Sequence, residues 1–300
     1  MKLRIYKLMA SLVCFITILT SGNILVQAQD ITVGKGLPTF SVATSWGYPP
    51  FVWVDGKGRK VGFDADVLRA IAVVEKFNIG EVLDMDFEGL IPALVAGKYD
   101  IFFGGITITK ERAKVIAYTN PYWESNLSVL VRKDSGLNIV TALCLGHKAG
   151  AHRGTTQHAF IKGLVDAGVD VEPAIYDRPI MALMDLLNGR IDCMVNDVPT
   201  TDAYYKEHPD KLKKVGVVYT GQLTGMAVRK GDPNGILPLI NDGFNKLHEM
   251  GIWDHLVNAY FTGDSKKITA AQTKYRHYLF EELDPLTYAK KLESFMTSKE

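Results

Sequence analysis

A chain of 300 residues with 47% hydrophobic side chains is long enough to build two hydrophobic cores. Its 34 basic and 33 acidic residues leave a formal charge of +1, which argues against a basic nucleic-acid surface or a polybasic hold on anionic lipid. The N-terminus sets the expected compartment. Lys2, Arg4 and Lys7 precede the apolar run Leu8 to Thr20, and Val26-Gln27-Ala28 offers small residues for cleavage. This pattern predicts a cleaved secretory signal over residues 1–28 and a periplasmic product. The run is short for a hydrocarbon core of ~30 Å. The bulky Val13 before Cys14 does not suit a lipid-attachment signal, so a soluble product is expected. Removal of the three leader cations takes the formal charge from +1 to −2.

In chain order, short β-like runs alternate with helical stretches, the pattern of an α/β architecture. Thr39 to Thr44 reads as a strand, Phe63 to Phe77 as a helix, Val82 to Met85 as a strand and Glu88 to Ala96 as a helix. Gly97 and a turn lead to the strand Ile101 to Phe103. A second set follows: strand Lys148 to Ala151, helix Thr155 to Val165, strand Val171 to Tyr176, helix Pro179 to Leu187 stopped by Gly189, and strand Ile191 to Val195. Lys213 to Tyr219 and Leu223 to Arg229 read as strands, then Pro238 to Met250 and Ile252 to Tyr260 as helices.

Two extended runs, Leu127 to Lys133 and Thr224 to Lys230, suggest that the chain crosses into a second lobe and returns. The expected lobes are 29–131 with 225–264, and 132–224. Residues 265–300 form a polar C-terminal extension, where Leu286, Ala289, Leu292 and Phe295 suggest a short amphipathic helix. Two cysteines, Cys144 and Cys193, follow the predicted leader. Cys193 lies in an apolar strand-like run, which favours two free thiols over a bridge.

The segment Gly104-Gly105-Ile106-Thr107-Ile108-Thr109-Lys110-Glu111-Arg112 concentrates binding chemistry. It leaves a buried strand, turns through two glycines and starts a helix at a Thr N-cap with Glu in the first turn. Arg112 is suited to grip a carboxylate with two parallel hydrogen bonds, and the Thr107 hydroxyl can donate or accept. Around it stand Gly62-Phe63-Asp64-Ala65-Asp66, Phe87-Glu88-Gly89-Leu90-Ile91-Pro92, Asn120-Pro121-Tyr122, Arg153-Gly154-Thr155-Thr156-Gln157, and Gly189-Arg190-Ile191-Asp192 leading to Asn196-Asp197.

In this order and spacing the set resembles the family 3 periplasmic solute-binding proteins, the polar amino-acid receptors of ABC importers, from about residue 36 to residue 262. The resemblance implies an α/β, two-lobed periplasmic-binding-protein fold (type II), with mixed sheets flanked by helices and two hinge crossings. It implies that Arg112 forks onto a ligand α-carboxylate, that Thr107 and the backbone at Gly105 flank it, and that Thr156 at a helix start is a second carboxylate donor. Asp197 matches the acid that takes the α-ammonium. Tyr48 and Phe87 match the walls around the ligand, and His152 a position that contacts its side chain. Ser45 stands where relatives that bind basic or amide side chains often carry Asp, so a Lys- or Arg-specific pocket is not expected. A neutral polar or aromatic amino acid suits better.

The implied partners are an amino acid and the permease subunits of an ABC importer. The protein is expected to be a monomer, without cofactor, metal or nucleic acid. His147, His152 and His158 straddle a predicted strand and helix start, which does not suit a metal site. Trp46 and Trp123 fit either the cleft or the core. The alternative on the same fold is a cyclohexadienyl (prephenate/arogenate) dehydratase, with Glu124 or His152 as the general acid. The complete amine-and-carboxylate clamp and the Gly154-Thr155-Thr156-Gln157 run favour the receptor.

Overall fold

The computed structural model describes residues 32–261; the predicted signal peptide and the C-terminal extension with its expected helix lie outside them. Strands β1 (Thr39–Thr44), β2 (Trp53–Val54) and β3 (Lys60–Val61) precede helix α1 (Phe63–Val74), β4 (Asn78–Asp84), α2 (Phe87–Val95), β5 (Ile101–Phe102), α3 (Lys110–Ala113) and β6 (Ile116–Tyr118). Next come β7 (Trp123–Arg132), β8 (His147–His152), α4 (Thr156–Asp166), β9 (Val171–Tyr176), α5 (Pro179–Leu187), β10 (Cys193–Asp197), α6 (Val198–Glu207) and β11 (Leu212–Thr224). Then β12 (Ala227–Arg229), α7 (Ile236–Glu249) and α8 (Ile252–Phe261) follow.

The described residues build two five-stranded sheets, ordered β4-β1-β5-β12-β6 and β11-β7-β10-β8-β9, beside the two-stranded pair β2-β3. In the first, β1 pairs in parallel with β4 and β5, and β12 runs antiparallel to β5 and β6. Parallel neighbours need a covering crossover, and α1 and α2 supply it. Helix α1 buries Phe63, Val67, Leu68 and Ile71 at three- and four-residue spacing. Helix α7 buries Ile240, Phe244 and Leu247. Phe63 sits among aromatic rings, with Trp253 at 5.3 Å and Phe261 at 4.9 Å between centroids. The second lobe has its own core: Leu127, Val129, Ala151 and Val195 pack with Ile161 of α4, and Leu130 and Met194 pack with Leu183 of α5 and Tyr204 of α6.

Several boundaries differ from the sequence expectation, each for a reason of pairing or capping. Strand β4 starts at Asn78 rather than Val82 because its ladder opens at Thr39↔Asn78. Strand β10 runs to Asp197 because β7 opposes it from Cys193↔Val131 to Asp197↔Leu127. The predicted strand from Lys213 extends through Thr224, with register shifts between Lys214 and Gly216 and between Val218 and Gln222 that absorb Val215 and the Tyr219-Thr220-Gly221 stretch. Helix α7 begins two residues before Pro238, since the Asp232 carboxylate accepts from the N–H groups of Ile236 and Leu237 at 2.8 and 2.9 Å. Pro238 then lies in the first turn, where no intrahelical N–H is lost.

The expected change of lobe at residue 132 comes too late. Strand β7 is paired with β11 and β10 from Trp123 to Arg132 and belongs to the second sheet throughout. The ladder holds the whole strand, so the crossing falls between β6 and Trp123. The return lies between β11 and β12. Cys144 and Cys193 are free thiols, and burial pushes the Cys193 thiol up to about 12.

Candidate ligand-binding site

The cleft between the sheets is lined by the ends of these elements. From the first lobe come Ser45, Tyr48, Phe87, Phe102, Gly104, Gly105, Thr107 and Arg112; from the second come His152, Thr155, Thr156, Gln157 and Asp197. Gly104 and Gly105 leave β5 with φ of 114° and 73°, in the region open chiefly to glycine. Their two N–H groups both donate at 2.8 Å to Asp64 Oδ2, which also accepts from the Tyr122 hydroxyl at 2.5 Å. Asp64 is fully buried in the first turn of α1, and burial pushes its carboxyl up to about 6 against those hydrogen bonds. The turn is therefore pinned from beneath. Its amides are spent on Asp64, which leaves the Gly105 carbonyl as that residue's backbone group for a ligand.

Five residues on, Thr109 caps the single-turn α3 by accepting from the Arg112 N–H at 3.2 Å. The Arg112 guanidinium donates to Thr107 O at 2.9 Å and, across the cleft, to Gly154 O at 3.0 Å. It lies over the Phe87 ring at 5.2 Å from the centroid. Burial presses its pKa down while Tyr118 opposes the shift, and an arginine stays charged regardless.

On the facing lobe, Thr155 is the N-cap of α4 and accepts from His158 N, so the helix starts at Thr156. The Thr156 hydroxyl donates to Gln222 Oε1 at 3.0 Å. Asp197 ends β10 at the head of α6 and is only 4% exposed. Burial pushes its carboxyl up to about 7. One of its oxygens accepts from the Tyr48 hydroxyl across the cleft, while Oδ1 is buried without a partner.

The walls are aromatic. Tyr48 stacks on Phe51 at 5.7 Å, and Phe87 packs edge-on against Phe102 at 5.7 Å and tilts against the His152 ring at 5.5 Å. His152 is buried, and its Nε2 lies 2.9 Å from Asp177 O. A carbonyl accepts only, so Nε2 carries the proton. Burial, and after it the charge of Arg178, hold this imidazole down to about 4 against the Asp177 hydrogen bond, so it is neutral.

These contacts define a closed, two-lobed clamp with cationic and hydroxyl donors on one side and a buried carboxylate on the other. A family profile described as bacterial extracellular solute-binding proteins, family 3, matches residues 40–263. The chain belongs to that family.

This family 3 solute-binding protein is 32% identical over 242 residues to an L-arginine-binding protein of Pseudomonas aeruginosa, spanning 76% of this chain and 92% of that one. It is 30% identical over 239 residues to a probable histidine-binding protein of Neisseria gonorrhoeae, spanning 78% and 88%. Among solved structures, an ancestral arginine-binding protein bound to arginine superposes with a TM-score of 0.69 at 34% identity, covering 74% of this chain and 98% of that one. An ancestral amino acid-binding protein that is a precursor of cyclohexadienyl dehydratase superposes with a TM-score of 0.67 at 30% identity, covering 75% and 96%. These relatives are named as binding proteins, and this family 3 member is likewise a binding protein and not an enzyme. Glu124, considered as a dehydratase acid, is exposed on β7 away from the cleft lining, and His152 is held neutral.

Each residue singled out from the sequence (Ser45, Tyr48, Phe87, Gly105, Thr107, Arg112, His152, Thr156 and Asp197) lines this cleft in the solute-binding protein. The tryptophans left open between cleft and core go to the core: Trp46 is buried against Phe103, and Trp123 stacks on Phe261 at 3.9 Å. The three clustered histidines have separate partners, Asp192 for His147, Asp177 O for His152 and the Gly154 N–H for His158. Sequence reasoning assigned no role to Asp64, Tyr122, Arg178 or Tyr204, whose hydroxyl donates to Gly47 O at 3.2 Å. The Gly-Phe-Asp run did mark Asp64, but its partners come from β5 and from Tyr122, far along the chain.

Proposed function

We propose that this protein captures a free amino acid between its lobes and passes it to the permease of an ABC importer. In this reading Arg112 forks onto the α-carboxylate, with the Thr107 hydroxyl and the Thr156 N–H at the N-terminal end of α4 as further donors. Asp197 and the Gly105 carbonyl take the α-ammonium. Tyr48 and Phe87 wall the ligand, while His152 and Ser45 meet a neutral polar or aromatic side chain. The observation that carries the reading is the buried Oδ1 of Asp197, which has no partner and belongs to a residue lining the same cleft as Arg112. A buried carboxylate oxygen without a partner is costly, and a ligand cation would relieve it.

The lobes would close about the two crossings, with ligand contacts on both sides favouring the closed form. Export by a cleaved leader into the periplasm and action as a monomer complete the proposal. Relatives named for arginine, histidine and cystine support the amino-acid class without fixing the side chain. A thermal-shift screen of the standard amino acids tests it. Any true ligand at 100 times its dissociation constant should add about 2.7 kcal/mol of stability. Calorimetry should then show that the ligand's deaminated and esterified analogues bind far more weakly. Failure of every amino acid would overturn the proposal.

A further inference from the structure

The far wall of the cleft is backed by a cation that the clamp described above leaves unused. Arg178 is the N-cap residue of α5 in the second lobe, and its Nη1 reaches the first lobe. It lies 3.2 Å from Ser45 Oγ, 3.3 Å from Trp46 O and 3.0 Å from Asp84 Oδ1, while its Nε pairs with Asp86 at 2.9 Å. The two carboxylates are 41% and 66% exposed, and neither lines the cleft. Ser45 does line it and is 6% exposed. Water thus meets the counter-ions of Arg178, and the cleft meets the guanidinium through the Ser45 hydroxyl.

Two consequences follow for a ligand side chain. A hydroxyl that accepts from a guanidinium is polarised to donate its own proton, so Ser45 offers a donor to a ligand oxygen. A cationic side chain reaching Ser45 meets the guanidinium before its counter-ions, Asp84 and Asp86, which offset the charge from the solvent side. At His152 the Arg178 charge adds to the effect of burial, while the charges of Asp86 and Asp177 oppose it.

We propose that Arg178 is a specificity-determining residue that favours amino acids whose uncharged side chain ends in an acceptor oxygen and excludes arginine and lysine. The inference rests on the amino-acid reading of the cleft. It separates this chain from relatives named for arginine.

The test is calorimetric binding of glutamine, asparagine, serine, arginine and lysine to the wild type, Arg178→Ala and Arg178→Lys. The wild type should prefer its best oxygen-ended ligand over arginine by about 100-fold or more. Arg178→Ala should narrow that ratio by about tenfold, and Arg178→Lys, which keeps the charge, should preserve it. A merely structural arginine would change all affinities together and leave the ratio alone. If Arg178→Ala does not fold, Arg178→Gln makes the same comparison. Arginine or lysine binding the wild type as tightly as any oxygen-ended ligand overturns the inference and leaves the amino-acid reading intact, as does a ratio unmoved in the neutral variant. Binding of no amino acid by the wild type overturns that reading and the inference with it.

Discussion

The Tyr48 hydroxyl of the first lobe donates to the Asp197 carboxylate of the second, across 149 residues of sequence. The contact occupies one oxygen of Asp197 and leaves the other buried without a partner, in a cleft that also holds Arg112. An amino acid's ammonium would supply the missing cation.

Asp197→Asn keeps the shape and removes the charge. Affinity for amino acids should fall on the order of 100-fold, about 3 kcal/mol, since a buried charge pair is lost. Deaminated analogues of the same ligand should be far less affected. Calorimetry on both ligand classes checks this, and an equal loss for both would remove Asp197 from the ammonium site.

The same residue predicts a pH dependence of binding. Burial raises its carboxyl to about 7, so below that pH the unliganded site is protonated and binding an ammonium must expel the proton. Affinity should therefore rise by about tenfold per pH unit from about pH 5 to pH 7 and level off above. Asp197→Asn should flatten the profile.

Asp64 makes a corresponding prediction for stability. Its folded pKa of about 6 stands above the ordinary 3.8, so the native state holds its proton more tightly than the unfolded chain. Its contribution is fully present below about pH 3.8 and is lost as the pH rises through about 6, by roughly 2–3 kcal/mol. Chemical denaturation across that range, compared with Asp64→Asn, should show the wild type losing stability relative to the variant as the pH rises. A constant difference between the two would contradict the assignment.

Arg112→Lys retains the positive charge and loses the planar fork. It should lower amino-acid affinity by about 10–100-fold, and Arg112→Ala by more, with little change in unfolding temperature because the residue is only half-buried. Unchanged affinity in Arg112→Ala would sink its role at the carboxylate.

Gly62→Ala should disturb the site from a distance. Gly62 has a φ of 152°, and an added Cβ would fall 2.0 Å from the Phe51 carbonyl oxygen, a backbone atom. The chain must shift there, moving α1 with Asp64 and the loop with Tyr48. A loss of about 1–3 kcal/mol in stability together with weakened ligand binding is expected. Unfolding and binding measured on the same variant check both parts.

The α/β class, most of the elements and, through the family resemblance, nine of the residues that line the cleft were legible in the sequence. Periodicity and capping are local: Thr109 caps α3 and Thr155 caps α4 because the donors they satisfy lie three residues away. The Gly104-Gly105 turn and Arg112 are likewise close enough in the chain to be read as one unit. Strand ends were less legible, because β4, β10 and β11 stop where a partner strand stops supplying hydrogen bonds. The folded molecule alone reveals that β7 lies in the second sheet, that Trp46 and Trp123 pack in the core, and that Asp64 pins the glycine turn. It also reveals the contacts across the cleft, Tyr48 with Asp197 and Arg178 with Ser45, whose partners are 149 and 133 residues apart. Such pairs have no local signal, since they form only when surfaces distant in sequence meet, and the hydrogen bond then offsets the cost of burying its polar groups.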